Sequence, residues 1–163
     1  MVATIIVEDG NIVPNANSYV SAAELTTYAS NRGITLTLPP ETLLIRAMDY
    51  IESLQYQGYR VSQDQPLQWP RYCVYVDKCL IDSDVIPMQL KNALMQTAIS
   101  IDEGNDPLAT QTQTVKRERV DVIEVEYMDG SSSAPIIKTI NAMLYKLLGN
   151  SGGGGNTVVV SKA

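Results

Sequence analysis

The sequence contains no histidine. That excludes an imidazole general base, a Ser-His-Asp triad and every metal site that needs a histidine ligand. Only two cysteines occur, Cys73 and Cys79, with no other soft ligand close by in the sequence. They read as free thiols of a reducing compartment, not as a disulfide framework. No apolar run is long enough to span a membrane. The opening Met1–Val7 lacks a basic start and soon meets Glu8 and Asp9, which does not fit a signal peptide. Cations are in the minority: 12 Lys and Arg face 18 Asp and Glu, a net charge of −6. Phosphate recognition needs clustered Lys and Arg, so composition points away from a nucleic-acid binder.

What is present fits one domain with arms. The chain has 163 residues and a hydrophobic fraction of 45%, enough to bury a core without staples. The organising stretch runs from Thr42 to Arg71. Its first half places Leu44, Ala47, Met48, Ile51 and Leu54 on one helical stripe. Pro39-Pro40-Glu41 opens this helix and Gly58 follows its last periodic turn. The second half is a polar loop ending in Gln68-Trp69-Pro70-Arg71. Trp69 is the only tryptophan; the expected role of Trp69, Pro70 and Arg71 is an anchor that pins the loop onto the helix stripe.

Before this stretch, Thr4–Val7 is β-prone and is ended by Glu8-Asp9-Gly10. A helix is predicted from Ser21 to about Asn31. Ser21 is its N-cap, Glu24 completes a capping box, and Val20 with Leu25 forms a hydrophobic staple. After it, Gln57–Val85 reads as a long loop holding one brief strand at Cys73–Val76. A third helix starts after Ile86-Pro87, presents Leu90, Ala93, Leu94, Ala98 and Ile101, and ends near Asp102. Val115–Tyr127 turns β-like, with a bulge or a change of face at Ile123. Pro135 opens a fourth helix with Ile136, Ile140, Met143, Leu144 and Leu147 as its stripe, stopped by Gly149. The end, after four consecutive glycines at 152–155, is a flexible tether carrying the β-prone tip Thr157, Val158, Val159 and Val160. Strand addition to a neighbouring chain is the expected use of that tip.

Each candidate for chemistry has a plainer alternative. Asp82 and Asp84 offer two carboxylates to a divalent cation, but such ions want more oxygens, and a loop cluster explains them as well. Glu124 and Glu126 share one face of a strand, suited to acid–base work or to a solvated surface. Lys116, Arg117 and Arg119 form the densest basic run, yet acids follow at once, so a solvated strand or a subunit contact is the better reading than phosphate. The four-glycine run lacks the Lys-Ser/Thr of a phosphate loop and precedes no helix. Nine tyrosines could stack on bases, but without a basic groove they read as core and interface residues. Arg71 is expected to bond to nearby carboxylates or carbonyls. No catalytic constellation, metal site or cofactor site emerges, and the chain is not expected to be an enzyme.

The ordered set R-A-x-D-Y-I…Q-x-L-x-W-P-R, Asn17-Ser18-Tyr19-Val20-Ser21 with Arg32-Gly33, Val85-Ile86-Pro87, and Val115-Lys116-Arg117-Glu118 leading to Ile123–Tyr127 spans nearly the whole chain. It resembles the tailed-phage head–tail connector proteins, a family often labelled DnaT-like single-stranded-DNA-binding. The resemblance implies a mainly α head–tail adaptor fold of about four helices, with a β excursion between the third and fourth and extended arms at both ends. The corresponding division is an arm over 1–20, a helical domain over 21–148 with a β insertion at about 115–128, and a tether with its tip over 149–163. It further implies a homo-oligomeric ring of about twelve copies in the phage neck, made in the host cytoplasm and built into the virion. Such a ring docks under the portal protein, receives the next tail or neck component, and lets double-stranded DNA pass without specific binding. Thr157–Val160, Lys116, Arg117 and Arg119 are the expected subunit contacts. The alternative implied by the label is a single-stranded-DNA-binding module of a primosome.

Overall fold

The computed structural model describes residues 3–109, 115–117, 126–127 and 135–149. Four helices form the body: α1 (Ala22–Ser30), α2 (Pro40–Ser53), α3 (Met88–Asp102) and α4 (Pro135–Leu144). Helix α3 is central. It packs against α1, α2 and α4, while α4 touches neither α1 nor α2. This explains why burial on α3 exceeds the single stripe read from its periodicity. Met95, Thr97, Ile99 and Ser100 are buried along with Leu90, Ala93, Leu94, Ala98 and Ile101. The two buried hydroxyls are satisfied inside the helix, Thr97 Oγ1 donating to Ala93 O at 2.7 Å and Ser100 Oγ to Gln96 O at 3.0 Å.

The helix starts follow their local chemistry. Ser21 Oγ accepts from Glu24 N at 3.2 Å, and Glu24 Oε2 accepts from Ser21 N at 2.7 Å, closing the capping box. Val20 and Leu25, the staple pair, are fully buried. Helix α2 buries Leu43, Leu44, Ala47, Met48, Tyr50 and Ile51. Helix α4 is shorter than expected. The chain turns after Leu144, so that Leu147 O accepts from Gln57 N and Gly149 N donates to Gln55 O, both at 2.9 Å. Leu148 bridges Tyr56 there, which takes this segment off the helical path.

Two expectations are corrected. Residues 3–20 are no extended arm: they fold back onto the body, with Ala16, Tyr19 and Val20 in the core. Buried Glu8 organises this turn by accepting from Gly10 N (2.8 Å), Ile12 N (3.0 Å) and Val13 N (2.8 Å). The β-prone Thr4–Val7 makes a single parallel bridge, Val7 to Ser18. Second, the loop after α2 contains two hairpins. β1 (Tyr59–Arg60) pairs antiparallel with β2 (Arg71–Tyr72), and β3 (Tyr75–Val76) with β4 (Cys79–Leu80). Cys73 adopts a left-handed φ of 59°, so the strand predicted over Cys73–Val76 breaks at its first residue.

β5 (Val115–Arg117) pairs antiparallel with β6 (Glu126–Tyr127) with an irregular register, inside the expected β excursion. The bulge expected at Ile123, the acidic face at Glu124, and the tail with its tip lie outside the described residues.

Asp102 ties the α1–α2 connection to the end of α3. Its carboxylate accepts from Thr37 N (2.8 Å), Thr37 Oγ1 (2.7 Å) and Leu38 N (2.9 Å). Burial acts to raise its pKa, but the bonds from Thr37 and Leu38 outweigh it and hold the carboxyl below its usual range. A depressed folded pKa contributes stability that is present above the unfolded value of about 4 and is lost as pH falls through the folded pKa. Asp102→Asn is therefore expected to flatten the decline in Tm below about pH 4. An unchanged decline in thermal melts would show that Asp102 carries no part of it.

Candidate functional site

The site grows from the Trp69–Arg71 corner. Glu52 sits in the last turn of α2 and faces this loop. Its Oε2 accepts from Gln68 N at 2.7 Å, and its Oε1 accepts from the Tyr19 hydroxyl. That hydroxyl in turn accepts from Trp69 N at 3.1 Å. The N-terminal segment, α2 and the loop are thus joined through one buried phenol. Trp69 has no exposed surface and meets the edge of Tyr56 at 5.8 Å and 78°. The Trp69–Pro70 peptide is cis. Among the described residues the buried indole Nε1 finds no acceptor. Gln65, also buried, knits the loop from within: Nε2 donates to Leu67 O and Pro70 O at 2.8 and 3.0 Å, and Oε1 accepts from Ser62 N at 2.9 Å.

Arg71 is the hub. Nε donates to Gln57 O at 2.7 Å, and Nη1 to Gln68 O and Oε1 at 3.2 and 2.9 Å. Nη2 donates to Gly58 O at 2.8 Å and Tyr56 O at 3.5 Å. The guanidinium has five donors in a fixed plane, and all are used on carbonyl-type oxygens. None goes to a carboxylate, so of the two partner types expected only the carbonyls are bonded directly. Gly58 is required here: its φ is +64°, and an added Cβ would lie 2.1 Å from Tyr72 O.

Burial dominates the electrostatics. It pushes the Tyr19 and Tyr56 phenols up, and Tyr19 far up. It raises the Glu52 carboxyl despite the bonds from Tyr19 and Gln68 that favour its charge. It lowers the Arg71 guanidinium from a value so high that the charge persists. With the Glu52 carboxylate, the Gln65 amide and the Arg71 guanidinium all engaged and the Trp69 indole N–H left unpaired among the described residues, the corner's bonds serve to position the chain.

What it positions is an exposed face. Tyr59 and Tyr72 stand opposite each other across β1–β2, ring centroids 5.5 Å apart, and are 65% and 45% exposed. Tyr75 and Leu80 form the matching pair across β3–β4, 54% and 57% exposed. These pairs were not singled out in the sequence, because the strands that create them were not recognised. Of the cations nearby, Arg60 bonds Gln65 O and Lys146 bonds both Asp77 carboxylate oxygens at 2.7 and 2.8 Å, whereas Lys78, in the β3–β4 turn, is exposed and makes no ion pair among the described residues.

The other candidates stay apart from this site. Lys116 and Arg117 lie on β5, whereas Arg119 and Thr157–Val160 fall outside the described residues. Asp82 and Asp84 are exposed, and among the described residues no cluster of three or more carboxylates and thiols could hold a metal. Cys73 and Cys79 are exposed free thiols.

Fold and site together define a small helical domain whose loop after α2 carries two short hairpins with exposed apolar and aromatic pairs. A family model described as "Putative DnaT-like ssDNA binding protein" matches residues 3–162, and the chain belongs to that family. No curated protein and no solved structure matches the chain.

Trp69→Ala is expected to cost about 3–5 kcal/mol in a denaturant melt; a loss under about 1 kcal/mol removes the anchor role. Arg71→Lys keeps the charge but not the planar fork, and is expected to cost about 2–4 kcal/mol by the same measurement. Glu52 has the opposite pH sign to Asp102. A carboxyl whose folded pKa is raised favours the fold below that pKa and weakens it as pH rises through it. Glu52→Gln should remove this component of the Tm profile above about pH 4.5.

Proposed function

We propose that this chain is a structural virion protein, a head–tail connector that assembles into a ring beneath the portal of a tailed phage. Its work is docking, with no reaction catalysed. The observation that carries this reading is the exposed face of Tyr59, Tyr72, Tyr75 and Leu80, held by the buried Trp69–Arg71 corner. Exposed tyrosines on rigid backbone are the side chains that dominate protein–protein contacts. A closed ring needs two unlike patches on each subunit, one meeting the other on its neighbour. The net charge of −6 suits a channel that DNA crosses without adhering, since like charge repels phosphate. In this reading the portal lies on one side of the ring and the next neck component on the other.

A second reading is single-stranded-DNA binding, favoured by the family's description and by the paired rings of Tyr59 and Tyr72, which could stack on bases. The net charge of −6 weighs against it, and of the cations beside these rings only Lys78 is left unpaired among the described residues.

Two measurements separate the readings. In negative-stain images, the purified protein mixed with tailless capsids is expected to decorate the portal vertex. The double variant Tyr59→Ser, Tyr75→Ser should lose that decoration while its unfolding free energy changes by less than about 1 kcal/mol. Undecorated capsids together with oligonucleotide binding at low salt, lost in Tyr59→Ala, would replace the connector with the DNA-binding module. Removing residues 152–163 is expected to leave the melt unchanged and weaken assembly in light scattering. Equal assembly would separate the tail from that role.

A further inference from the structure

A groove of about 360 Å³ opens between α1 and α3. Ala23, Thr27 and Tyr28 line it from α1, and Met88, Lys91 and Met95 from α3. The spacings i, i+4 on α1 and i, i+3, i+7 on α3 put each set on one helical face. On the α1 side Ala23 and Thr27 are small and leave space unfilled while Glu24 and Asn31 also border it, and methionines, which adapt their shape to what they meet, form much of the opposite wall. Met88 is 63% exposed at the mouth of the groove. The Arg32 guanidinium lies 3.3 Å over the Tyr28 ring and fixes its position.

We propose that this groove receives Thr157–Val160 of a second copy of this chain. The proposal rests on the ring reading above and names one of its contacts. Three observations select this occupant. First, the groove and the exit of the tail lie at the same end of the helices. The bonds of Thr37 and Leu38 to Asp102, and the Arg46–Asp106 ion pair at 2.8 Å, set the start of α2 beside the end of α3. The two helices are therefore antiparallel, and the end of α2 lies beside Met88. Gly149, from which the tail departs, bonds Gln55 just beyond that end of α2.

Second, α1 and α4 both pack on α3 without touching each other. The groove and the tail exit thus occupy different flanks of one subunit, as a contact passed from copy to copy around a ring requires. Third, the lengths and chemistry agree. Residues 150–156 span at most roughly 25 Å when extended, enough to cross to an abutting neighbour. The tip then offers three consecutive valines, Val158–Val160, to a largely apolar groove, bordered by Glu24, Asn31 and Lys91, that no part of the described chain fills.

Cross-linking of the full-length protein tests this, in a background where Cys73→Ser and Cys79→Ser remove the native thiols. One preparation carries Met88→Cys and another Val159→Cys; they are mixed, allowed to assemble and oxidised. The expected result is a disulfide-linked pair containing one chain of each kind, at least tenfold above the level seen when Gln89→Cys replaces Met88→Cys. Circular dichroism of the exposed-site variants confirms that they fold. Equal linkage at Gln89→Cys, no linkage at either position, or preferred linkage to Lys116→Cys on β5 overturns the proposal, the last by placing the tip on a sheet edge. A chain carrying both Met88→Cys and Val159→Cys that closes only on itself overturns it too. Light scattering of the same samples separates the two levels. Assembly without the Met88–Val159 link removes this contact and leaves the ring; no assembly and no link removes both.

Discussion

The constraint on which the rest depends is the burial of one guanidinium. Arg71 leaves water, and its five N–H groups must then be matched by five acceptors in nearly one plane. The carbonyls of Tyr56, Gln57, Gly58 and Gln68, with the Gln68 side chain, supply them. Satisfying that demand draws the chain just after α2 against the chain just before β2 and closes the β1–β2 ladder between them. The same stretch is held from its other side by the turn that follows the fourth helix, where Gln57 N reaches Leu147 O and Gln57 Nε2 reaches Lys146 O. One residue, Gln57, therefore transmits the position of the Arg71 corner to the C-terminal part of the body.

The helical body was legible because its signals are local. Ser21 and Glu24 sit at the spacing of a capping box, prolines stand at the helix starts, and apolar residues recur at helical intervals. The hairpins were hidden because their determinants are distant or atypical. The β3–β4 turn is Asp77-Lys78, both at positive φ (51° and 68°), where Asn-Gly or Asp-Gly is the usual mark. A lysine there carries no turn signal. The strands are two residues long, too short for alternation to register. Trp69 was conspicuous as a lone tryptophan, but its link through Tyr19 to Glu52 spans fifty residues and leaves no periodic trace. Glu8 is the same case: a glutamate in a polar turn looks solvated until three backbone amides are seen to converge on it.

The two acidic anchors divide the labour between stability and specificity. Asp102 stays near the surface, and its bonds to Thr37 and Leu38 outweigh the cost of partial burial. Glu52 is placed where burial outweighs the bonds it receives. A residue that strains against its surroundings is best understood by what it orders. Glu52 fixes the Gln68 amide and the Tyr19 hydroxyl, and through that hydroxyl the Trp69 amide. Without those three bonds the loop would retain apolar contact through the indole but lose its register relative to α2.

Register is what a docking face needs. Tyr59 with Tyr72 and Tyr75 with Leu80 are cross-strand pairs on two-residue strands, which have little stability of their own. Their geometry is borrowed from the corner beneath them. Ordering such side chains during association costs about 0.5–1.5 kcal/mol each, and a face already ordered by the fold avoids part of that cost at every contact of a closed assembly. In the proposed ring the saving would recur with each subunit added. In the proposed role of holding neighbours in fixed orientation, a buried, fully bonded arginine under an exposed tyrosine face is an advantage, whereas a binder of flexible single strands gains little from such rigidity.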